Sequence, residues 1–321
     1  MDITFLALLV ISLARYGTTV NCGAGIEMTI SSSELHPLFV GEVSGVDLRI
    51  PVDRETFREI AHALDRYAVL VFRGQPLSDD QQIAFSRLFG PIETALGSIR
   101  RDRKTRLGNR LLAEVSNIDA NNEIRSSSDP WRMMQRANEL WHTDSSFKSV
   151  PGKISILSAH ELPPTGGETE FADLRAAYDA LDAATKEQVE ELVAEHSLFH
   201  SRSLLGYTDF TEEERAAFPP VPRSLIRVHP GSGRKTLYLA SHASHIIGWP
   251  VDRARALLKR LTEFSTQPRF VYRHHWRLND LVIWDNRCTL HRARPYDDAR
   301  YRRDMRRTTI EDIAALTQGG P

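Results

Sequence analysis

The sequence predicts a mainly β fold with flanking helices, in the class of sandwiches, barrels and jelly rolls. Short runs rich in β-branched and apolar residues recur along the chain, with turn residues between them. Only a few stretches have helical periodicity. A chain of 321 residues with 41% hydrophobic content can also bury a large core. We expect residues 28–321 to form one domain.

The first 27 residues are predicted to be an N-terminal extension. Their apolar run FLALLVISL at 5–13 resembles the core of a signal peptide, but Asp2 stands where a positive charge is usual. The run is also far shorter than the roughly 20 residues that span a bilayer. Three interpretations stay open: a targeting segment, a buried or unprocessed segment, or a functional chain that begins near Met28.

Helices and buried strands follow in order. Asp53 can cap a first helix, and the run AVLVF at 68–72 predicts a buried strand. Ser78 and Gln81 resemble a capping box for a second helix, which the sequence Gly-Pro should end. The polar stretch 99–131 predicts a long loop.

The second half of the chain is richer in strand signals. The run ISILSAHEL at 154–162 predicts a strand, and GGETEF at 166–171 predicts a turn that enters a short strand. Two helices are expected within 173–195, the first capped by Asp173, before a polar insertion at 200–223. The remaining predicted elements are strands at 224–229, 235–240, 270–276, 280–286 and 306–311, and a helix at 252–264.

Charge and cysteine content restrict the partners. A formal net charge of −1 gives no sign of a broad basic surface, so we expect neither nucleic-acid nor membrane binding. The two cysteines, Cys22 and Cys288, lie far apart in the sequence, so we expect no disulfide framework and no thiolate zinc site. This cysteine content fits a cytoplasmic protein. We expect Cys288 to be a small hydrophobe in a buried strand.

A His-x-Asp triplet in LWHTDSSF at 140–147 suggests a metal site. In a strand, residues two apart point the same way, so His142 and Asp144 can present an imidazole and a carboxylate to one point. His291, directly after an apolar strand, is the best distant third ligand. Two imidazoles and one carboxylate leave three positions of an octahedral ion open, as in non-haem Fe(II) oxygenases, whereas zinc favours a tetrahedral set.

The other histidines indicate different roles. A lone histidine is usually a surface or hydrogen-bonded core residue, and this reading also applies to His291. His242 and His245, three apart in SHASH, can share a helical face, but no carboxylate lies nearby and we favour a structural role. His274 and His275 point to opposite faces of a strand and cannot chelate together.

Several segments resemble one enzyme family. They are LWHTDSSF, GGETEF followed by ADLRAAYDAL, and WDNRCTLHRARPYD with RRDMRRTT, together with VLVFRGQPLS, SRLFGPIE, SRSLLG and GSGRK. In their order along the chain, from about residue 35 to residue 309, these segments resemble the taurine dioxygenase family of Fe(II)/2-oxoglutarate-dependent oxygenases, and most closely its members that act on phenoxyacetates. The resemblance implies a double-stranded β-helix, which is a jelly roll.

The resemblance also implies the metal and co-substrate ligands. It implies that His142, Asp144 and His291 bind Fe(II), and that Thr169 and Arg303 bind the distal carboxylate of 2-oxoglutarate. A guanidinium can grip a carboxylate with two hydrogen bonds, which suits this role. From composition alone, Arg303 is instead a solvated charge in an arginine-rich run.

Substrate residues follow in the same way. Arg307 stands where the family's arginine holds the substrate's anionic group, and its even separation from Arg303 puts both on one face of an extended strand. His229 and Asn138 match positions near the substrate, with a packing or loop-bonding role as an equal alternative. We expect the run WDN at 284–286 to support His291.

The resemblance implies that Fe(II), 2-oxoglutarate and O2 hydroxylate the ether methylene of an aryloxyacetate such as 2,4-dichlorophenoxyacetate. The products would be a phenol and glyoxylate, with succinate and CO2. The partner is therefore a small anionic aromatic substrate, and a homo-oligomer stays open. The alternatives are the same chemistry on a sulfonate, alkyl sulfate or aryl carboxylate, and a non-catalytic, metal-stabilised jelly-roll binding protein.

Overall fold

The computed structural model describes residues 30–95 and 106–315. The predicted extension at 1–27, with Cys22, lies outside the described residues. The fold is built around β-sheets, and helices flank them, so the predicted fold class is confirmed. No helix in the described ranges has the length and apolar character needed to cross a membrane.

Strands and helices are interspersed along the described chain. The strands are β1 Ser31–Glu34, β2 Gly41–Ser44, β3 Val69–Phe72, β4 Ala113–Ser116, β5 Gly152–Glu161, β6 Thr169–Asp173, β7 Val193–His196, β8 Val221–Ser224, β9 Ile226–Val228, β10 Lys235–Leu237, β11 Ala243–Ile246, β12 Val271–His274, β13 Leu281–Asp285, β14 Thr289–Ala293 and β15 Asp304–Glu311. The helices are α1 Arg54–Tyr67, α2 Asp79–Arg87, α3 Pro130–Gln135, α4 Leu174–Asp179, α5 Ala183–Val189, α6 Leu198–Ser203, α7 Glu212–Ala217 and α8 Val251–Ser265, with short 3₁₀ helices at Arg136–Glu139 and Pro268–Phe270.

Two sheets build the jelly roll. The larger has seven strands in the order β1-β2-β3-β13-β5-β15-β4, and the smaller has three in the order β12-β6-β14. Neighbouring strands are antiparallel except β2 and β3. A three-stranded sheet, β11-β7-β8, and the pair β10-β9 complete the described β structure.

The inner faces of the two large layers meet in an apolar core. Phe171 of the smaller sheet and Trp284 of the larger are buried with ring centroids 5.5 Å apart. Leu157 and Met305 join them. Between β13 and β14 the chain crosses from the larger sheet to the smaller, and this crossing leads to His291 in β14.

Helix starts follow the sequence signals. The Asp53 carboxylate accepts hydrogen bonds from the amides of Glu55 and Thr56 at the start of α1. The capping box of Ser78 and Gln81 is present at the start of α2. Each side chain satisfies amide groups that have no partner inside the helix. Both helix predictions are confirmed.

One loop prediction is wrong in part, and the predicted insertion contains regular structure. The stretch 99–131, described from residue 106, contains β4 and the start of α3. β4 is only four residues, AEVS, and forms because it pairs with β15 at the sheet edge, which its local sequence does not reveal. The insertion at 200–223 contains parts of α6 and β8 and all of α7, whose capping box of Thr211 and Glu214 was present in the sequence.

Two residue-level expectations also change. His242 and His245 do not share a helical face, because His245 lies in β11 and His242 directly precedes that strand. Cys288 is buried, as expected, but in the turn between β13 and β14. Burial raises the pKa of its thiol, so it is a small hydrophobe and not a reactive thiolate.

Candidate metal centre and active-site pocket

Backbone pairing brings the distant histidines together. The amide of His142 donates to the carbonyl of His291 at 3.0 Å, and the amide of His291 donates back to the carbonyl of His142 at 2.9 Å. The two residues therefore lie directly opposite each other, as in an antiparallel ladder. Their rings are 4.1 Å apart between centroids.

Asp144 completes a compact donor set. Its Oδ1 lies 3.8 Å from Nε2 of His142, and its Oδ2 lies 3.6 Å from Nε2 of His291. All three side chains are buried, and their ligand atoms lie within 4.8 Å of one another. The structure thus places the three predicted ligands at one point.

Hydrogen bonds hold the Asp144 carboxylate and its backbone. Ser155 Oγ donates to Oδ2 at 2.7 Å, and the Asp144 amide donates to Oδ1 of Asn286 at 3.2 Å. Trp284 Nε1 in turn donates to the same Asn286 oxygen at 3.0 Å. The run at 284–286 therefore chiefly supports Asp144, and Trp284 also packs its ring 4.8 Å from that of His291.

Protonation states suit a metal. Burial lowers the pKa of His142 and takes that of His291 well below its usual range, so both imidazoles are neutral at neutral pH. Burial raises the pKa of Asp144, but Arg307 and the two histidines outweigh it and bring it to about 2. Metal ligands must be deprotonated, and all three groups are.

The tautomer of His142 also fits a metal ligand. Its Nδ1 lies 2.7 Å from the carbonyl of Leu140 and donates to it, which leaves a lone pair on Nε2 toward Asp144. Two neutral imidazoles and one carboxylate match the donor set of a non-haem Fe(II) centre. The residues present therefore fit this ion.

The residues predicted to bind the co-substrate line a small cavity beside the triad. Thr169, Arg303 and Arg307 line it together with His142 and His291. Arg303 is 5% exposed, and its Nη2 donates to the Gly167 carbonyl at 3.2 Å.

Arg303 is a buried cation without a counter-ion. Its Nε is buried without a hydrogen-bond partner, and no carboxylate within the described residues forms an ion pair with it. Burial lowers its pKa to about 10. The alternative of a solvated charge is therefore wrong: the side chain points inward, unlike that of Arg302, which pairs with Glu161 at 2.9 Å.

A larger pocket adjoins the other side of the triad. Asn138 and Arg307 line both cavities, so these two predicted substrate residues stand between them. Arg307 Nη1 donates to Oδ1 of Asp144 at 2.5 Å, whereas its Nε has no partner. Asn138 Nδ2 donates to Gln135 Oε1 at 2.8 Å.

His229 does not line either cavity. It is fully buried, with Nε2 3.0 Å from Oδ2 of Asp285 and Nδ1 2.9 Å from Ser232 Oγ. Asp285 follows Trp284 in β13, and adjacent strand residues point to opposite faces, so Asp285 draws His229 away from the triad. The packing alternative therefore describes His229, and the predicted substrate contact is absent.

Several pocket residues were not predicted, among them Phe147, Arg202 and His242. The His242 ring lies 4.7 Å from Phe147 and 6.4 Å from His142. Arg202 lies in α6, in the segment SRSLLG that carried part of the resemblance. Burial and the nearby Arg307 lower its pKa to about 10. A basic residue in an otherwise matched motif was the available signal.

The rest of the pocket wall is mostly apolar. Leu112, Val115, Ala137 and Phe147 form much of it. Such a wall suits an aromatic ring held by contact, while the polar groups near Asp144 suit a charged end.

Known proteins resemble the chain over most of its length. It is 48% identical over 282 residues to the alpha-ketoglutarate-dependent 2,4-dichlorophenoxyacetate dioxygenase of Burkholderia sp. (strain RASC), covering 88% of this chain and 94% of the relative. It is 47% identical over 289 residues to the protein of the same name from Cupriavidus pinatubonensis, covering 90% of this chain and 100% of the relative.

A solved structure is also similar. The crystal structure of AAD-2 in complex with Mn(II) and N-oxalylglycine superposes with a TM-score of 0.85 at 49% identity, covering 88% of this chain and 98% of that one. Residues 31–309 match the model of the "Taurine catabolism dioxygenase TauD, TfdA family". The jelly-roll fold, the enzyme class and the metal dependence predicted from the sequence are thereby confirmed. The chain belongs to the TauD/TfdA family of dioxygenases.

Proposed function

We propose that this dioxygenase hydroxylates the ether methylene of an aryloxyacetate such as 2,4-dichlorophenoxyacetate. The product hemiacetal then collapses: its bond to the ring oxygen breaks, the phenol takes the proton, and glyoxylate remains. In the same turnover 2-oxoglutarate is oxidised to succinate and CO2. One observation carries the proposal: an arginine stands between the metal ligands and a mostly apolar pocket, in a chain 48% identical to a dioxygenase named for this substrate.

His142, Asp144 and His291 hold the ion in this proposal. Fe(II) bound there with 2-oxoglutarate supplies the oxidation, by O2, of a substrate C–H bond. The paired backbones of the two histidines and the bond from Ser155 to Asp144 keep the three ligands in place. Such support limits the reorganisation needed when the ion binds.

Arg303 and Thr169 bind the distal carboxylate of 2-oxoglutarate. Both are buried beside the triad, and Arg303 lacks a counter-ion among the described residues. A carboxylate there would neutralise a desolvated charge, which makes the interaction stronger than at the surface.

Arg307 orients the substrate. A guanidinium has five N–H groups, and one bond to Asp144 leaves others to receive the substrate carboxylate. The apolar wall around Phe147 receives the aromatic ring and excludes water from it. The side chain thus sets the distance from the ether methylene to the metal ligands.

Turnover on a panel of anions tests the substrate. The panel contains an aryloxyacetate, an arylalkanoate, a sulfonate and an alkyl sulfate, and the readouts are succinate and phenol release. We expect the aryloxyacetate to give the highest kcat/KM. A higher value for the sulfonate or the alkyl sulfate would assign the same chemistry to another anion. Absence of substrate-dependent succinate would leave a binding protein.

Alanine variants test the ligands. We expect His142→Ala, Asp144→Ala and His291→Ala each to lose turnover and to bind Fe(II) more weakly under anaerobic loading. His275→Ala, an exposed histidine, is the control and should behave as wild type. Wild-type iron affinity in a variant would remove that residue from the set.

Comparison of an acid with its amide tests Arg307. Arg307→Gln should lose about 2–5 kcal/mol toward the aryloxyacetate but little toward the matching primary amide, which has no charge to leave unpaired. Half-saturation for 2-oxoglutarate is the control measurement. Equal losses on acid and amide would make Arg307 structural.

A further inference from the structure

Arg202 has no assigned role, yet it lines the same pocket as Arg307 and His242. It lies near the end of the short helix α6. The N-cap of that helix, Ser197, is tied to the site because its amide donates to the carbonyl of His242 at 2.8 Å. The helix is therefore anchored to the pocket wall.

Among the described residues, the Arg202 guanidinium makes one hydrogen bond. Nη1 donates to Ser201 Oγ at 3.1 Å. Its Nε is buried without a hydrogen-bond partner. Its pocket neighbours Arg307 and His242 add one positive charge and no negative one.

The acids of this pocket are already paired. Glu93 pairs with Lys148 at 2.9 Å, Glu114 with Arg106 at 3.5 Å, and Asp144 with Arg307 at 2.5 Å. No described carboxylate forms an ion pair with Arg202. A largely desolvated cation in this situation costs free energy unless a ligand brings the negative charge. Each pocket carboxylate thus has a cation partner other than Arg202, and the Arg202 charge lines the space where a substrate would lie.

We propose that Arg202 is a second recognition residue for the substrate's anionic group, which it receives together with Arg307. The inference rests on the proposed function, because it concerns the same pocket. Arg307 is shared with Asp144, a metal ligand, whereas Arg202 has no carboxylate partner among the described residues and donates only to the Ser201 hydroxyl. Two guanidiniums on one anion make the pocket selective for the charged head group and tolerant toward the ring.

The two arginines also differ in what they position. Arg307 links the anion to the triad, so it affects both binding and the placement of the methylene. Arg202 stands on a separate helix and affects chiefly how tightly the anion is held. A substitution at Arg202 should therefore raise KM more than it lowers kcat.

Equilibrium binding tests the proposal without turnover. The protein is loaded with Mn(II) and N-oxalylglycine, and the dissociation constants of an aryloxyacetate and its primary amide are measured by calorimetry. Arg202→Met keeps the alkyl stem and removes the charge. We expect it to weaken binding of the acid by about 30-fold or more, and binding of the amide by less than about threefold. Arg202→Lys should recover part of the loss.

The matched control lies in the same chain segment. Arg215 stacks over Phe199, with its guanidinium 5.4 Å from the ring centroid, and does not line the pocket. Arg215→Gln should bind the acid as wild type does. A comparable loss in this control would show that the segment, and not the Arg202 charge, supports binding.

The outcomes separate the inference from the proposed function. If Arg202→Met binds the acid as wild type does, or loses equal affinity for the acid and the amide, the inference is overturned. If wild type binds no aryloxyacetate, the proposed substrate is wrong, and the same variants are measured on the sulfonate and the alkyl sulfate. Arg202→Met must then weaken the binding of whichever anion the wild type binds. Failure of wild type to bind any of these anions overturns both.

Discussion

Two groups of arginines, each with one buried and one partly buried member, differ in their partners. Arg175 and Arg287 lie near the crossing from β13 to β14, where Arg175 pairs with Asp173 at 3.1 Å and Arg287 with Asp285 at 2.5 Å. Arg202 and Arg303 line the cavities beside the triad and have no carboxylate partner among the described residues. Burial alone would lower the pKa of all four, but nearby carboxylates raise the pKa of Arg175 and Arg287 above its usual range, whereas the pKa of Arg202 and of Arg303 is lowered to about 10.

The comparison teaches how to distinguish a structural arginine from a functional one. Residue type and burial are alike in the two groups, and only the partner differs. A paired arginine stabilises the apo fold, and its loss should appear in the free energy of unfolding. An unpaired arginine should appear in ligand binding, because the ligand completes the pair.

The largest expected effect breaks the paired group. Asp285→Asn leaves Arg287 buried without its counter-ion and removes a bond to His229, so we expect a loss of about 3–5 kcal/mol in the free energy of unfolding. Denaturant unfolding of the apo protein measures it. Asp47→Asn, which breaks an exposed pair with Arg49, should change stability little. Equal stabilities for the two variants would contradict the distinction.

Arg303→Gln should affect the ligand and not the fold. We expect a loss of about 2–5 kcal/mol in 2-oxoglutarate binding, because the dicarboxylate loses its charged partner. The apo free energy of unfolding should stay within about 1 kcal/mol, since only the bond to Gly167 is lost. Titration of 2-oxoglutarate measures the first and denaturation the second.

Arg302→Gln is the matched control for that experiment, because Arg302 is adjacent and pairs with Glu161 outside the cavities. It should bind 2-oxoglutarate as wild type does. An unchanged half-saturation in Arg303→Gln together with a defect in Arg302→Gln would exchange the two assignments.

Thr169→Val should have a smaller effect on the same ligand. A hydrogen bond from a hydroxyl to a charged group contributes about 1.5–3 kcal/mol. The 2-oxoglutarate concentration at half-saturation should therefore rise by the factor that corresponds to this free energy. Val keeps the shape, but the indole N–H of Trp276, which donates to Thr169 Oγ1 at 3.0 Å, loses its partner. Apo unfolding separates the two contributions. A defect confined to stability would remove Thr169 from the co-substrate site.

The smallest effect is expected at the N-terminus. A chain that starts at Met28 should fold and turn over substrate as the full chain does, because the family match begins at residue 31. Expression of both forms and comparison of soluble yield and kcat/KM test this. A loss in the shorter form would show that the apolar run at 5–13 contributes to the fold.

Local signals predicted most of the regular structure. Asp53 and Ser78 mark their helices because capping is a short-range interaction that the sequence writes directly. β4 escaped prediction because its four residues form a strand only through pairing with β15, about 190 residues later. Strand formation at an edge is a tertiary event.

The residues alone made His142, Asp144 and His291 candidate ligands, and the resemblance singled them out. Only backbone pairing across the fold brings the third ligand near the other two, and local sequence does not show that pairing. The transfer failed at His229, which Asp285 holds away from the pocket. It also missed Arg202 and His242, since neither charge pairing nor strand direction is visible in a linear motif.

Long-range support of Asp144 has a consequence for biosynthesis. Asn286, whose Oδ1 accepts a hydrogen bond from the Asp144 amide, lies 142 residues further along the chain. At a translation rate of about 5–20 residues per second, a nascent chain carries His142 and Asp144 for roughly 7–30 s before Asn286 and His291 are made. The ion cannot stabilise the chain during that interval. Binding of an ion by all three residues of the triad is therefore a step that follows near-complete synthesis.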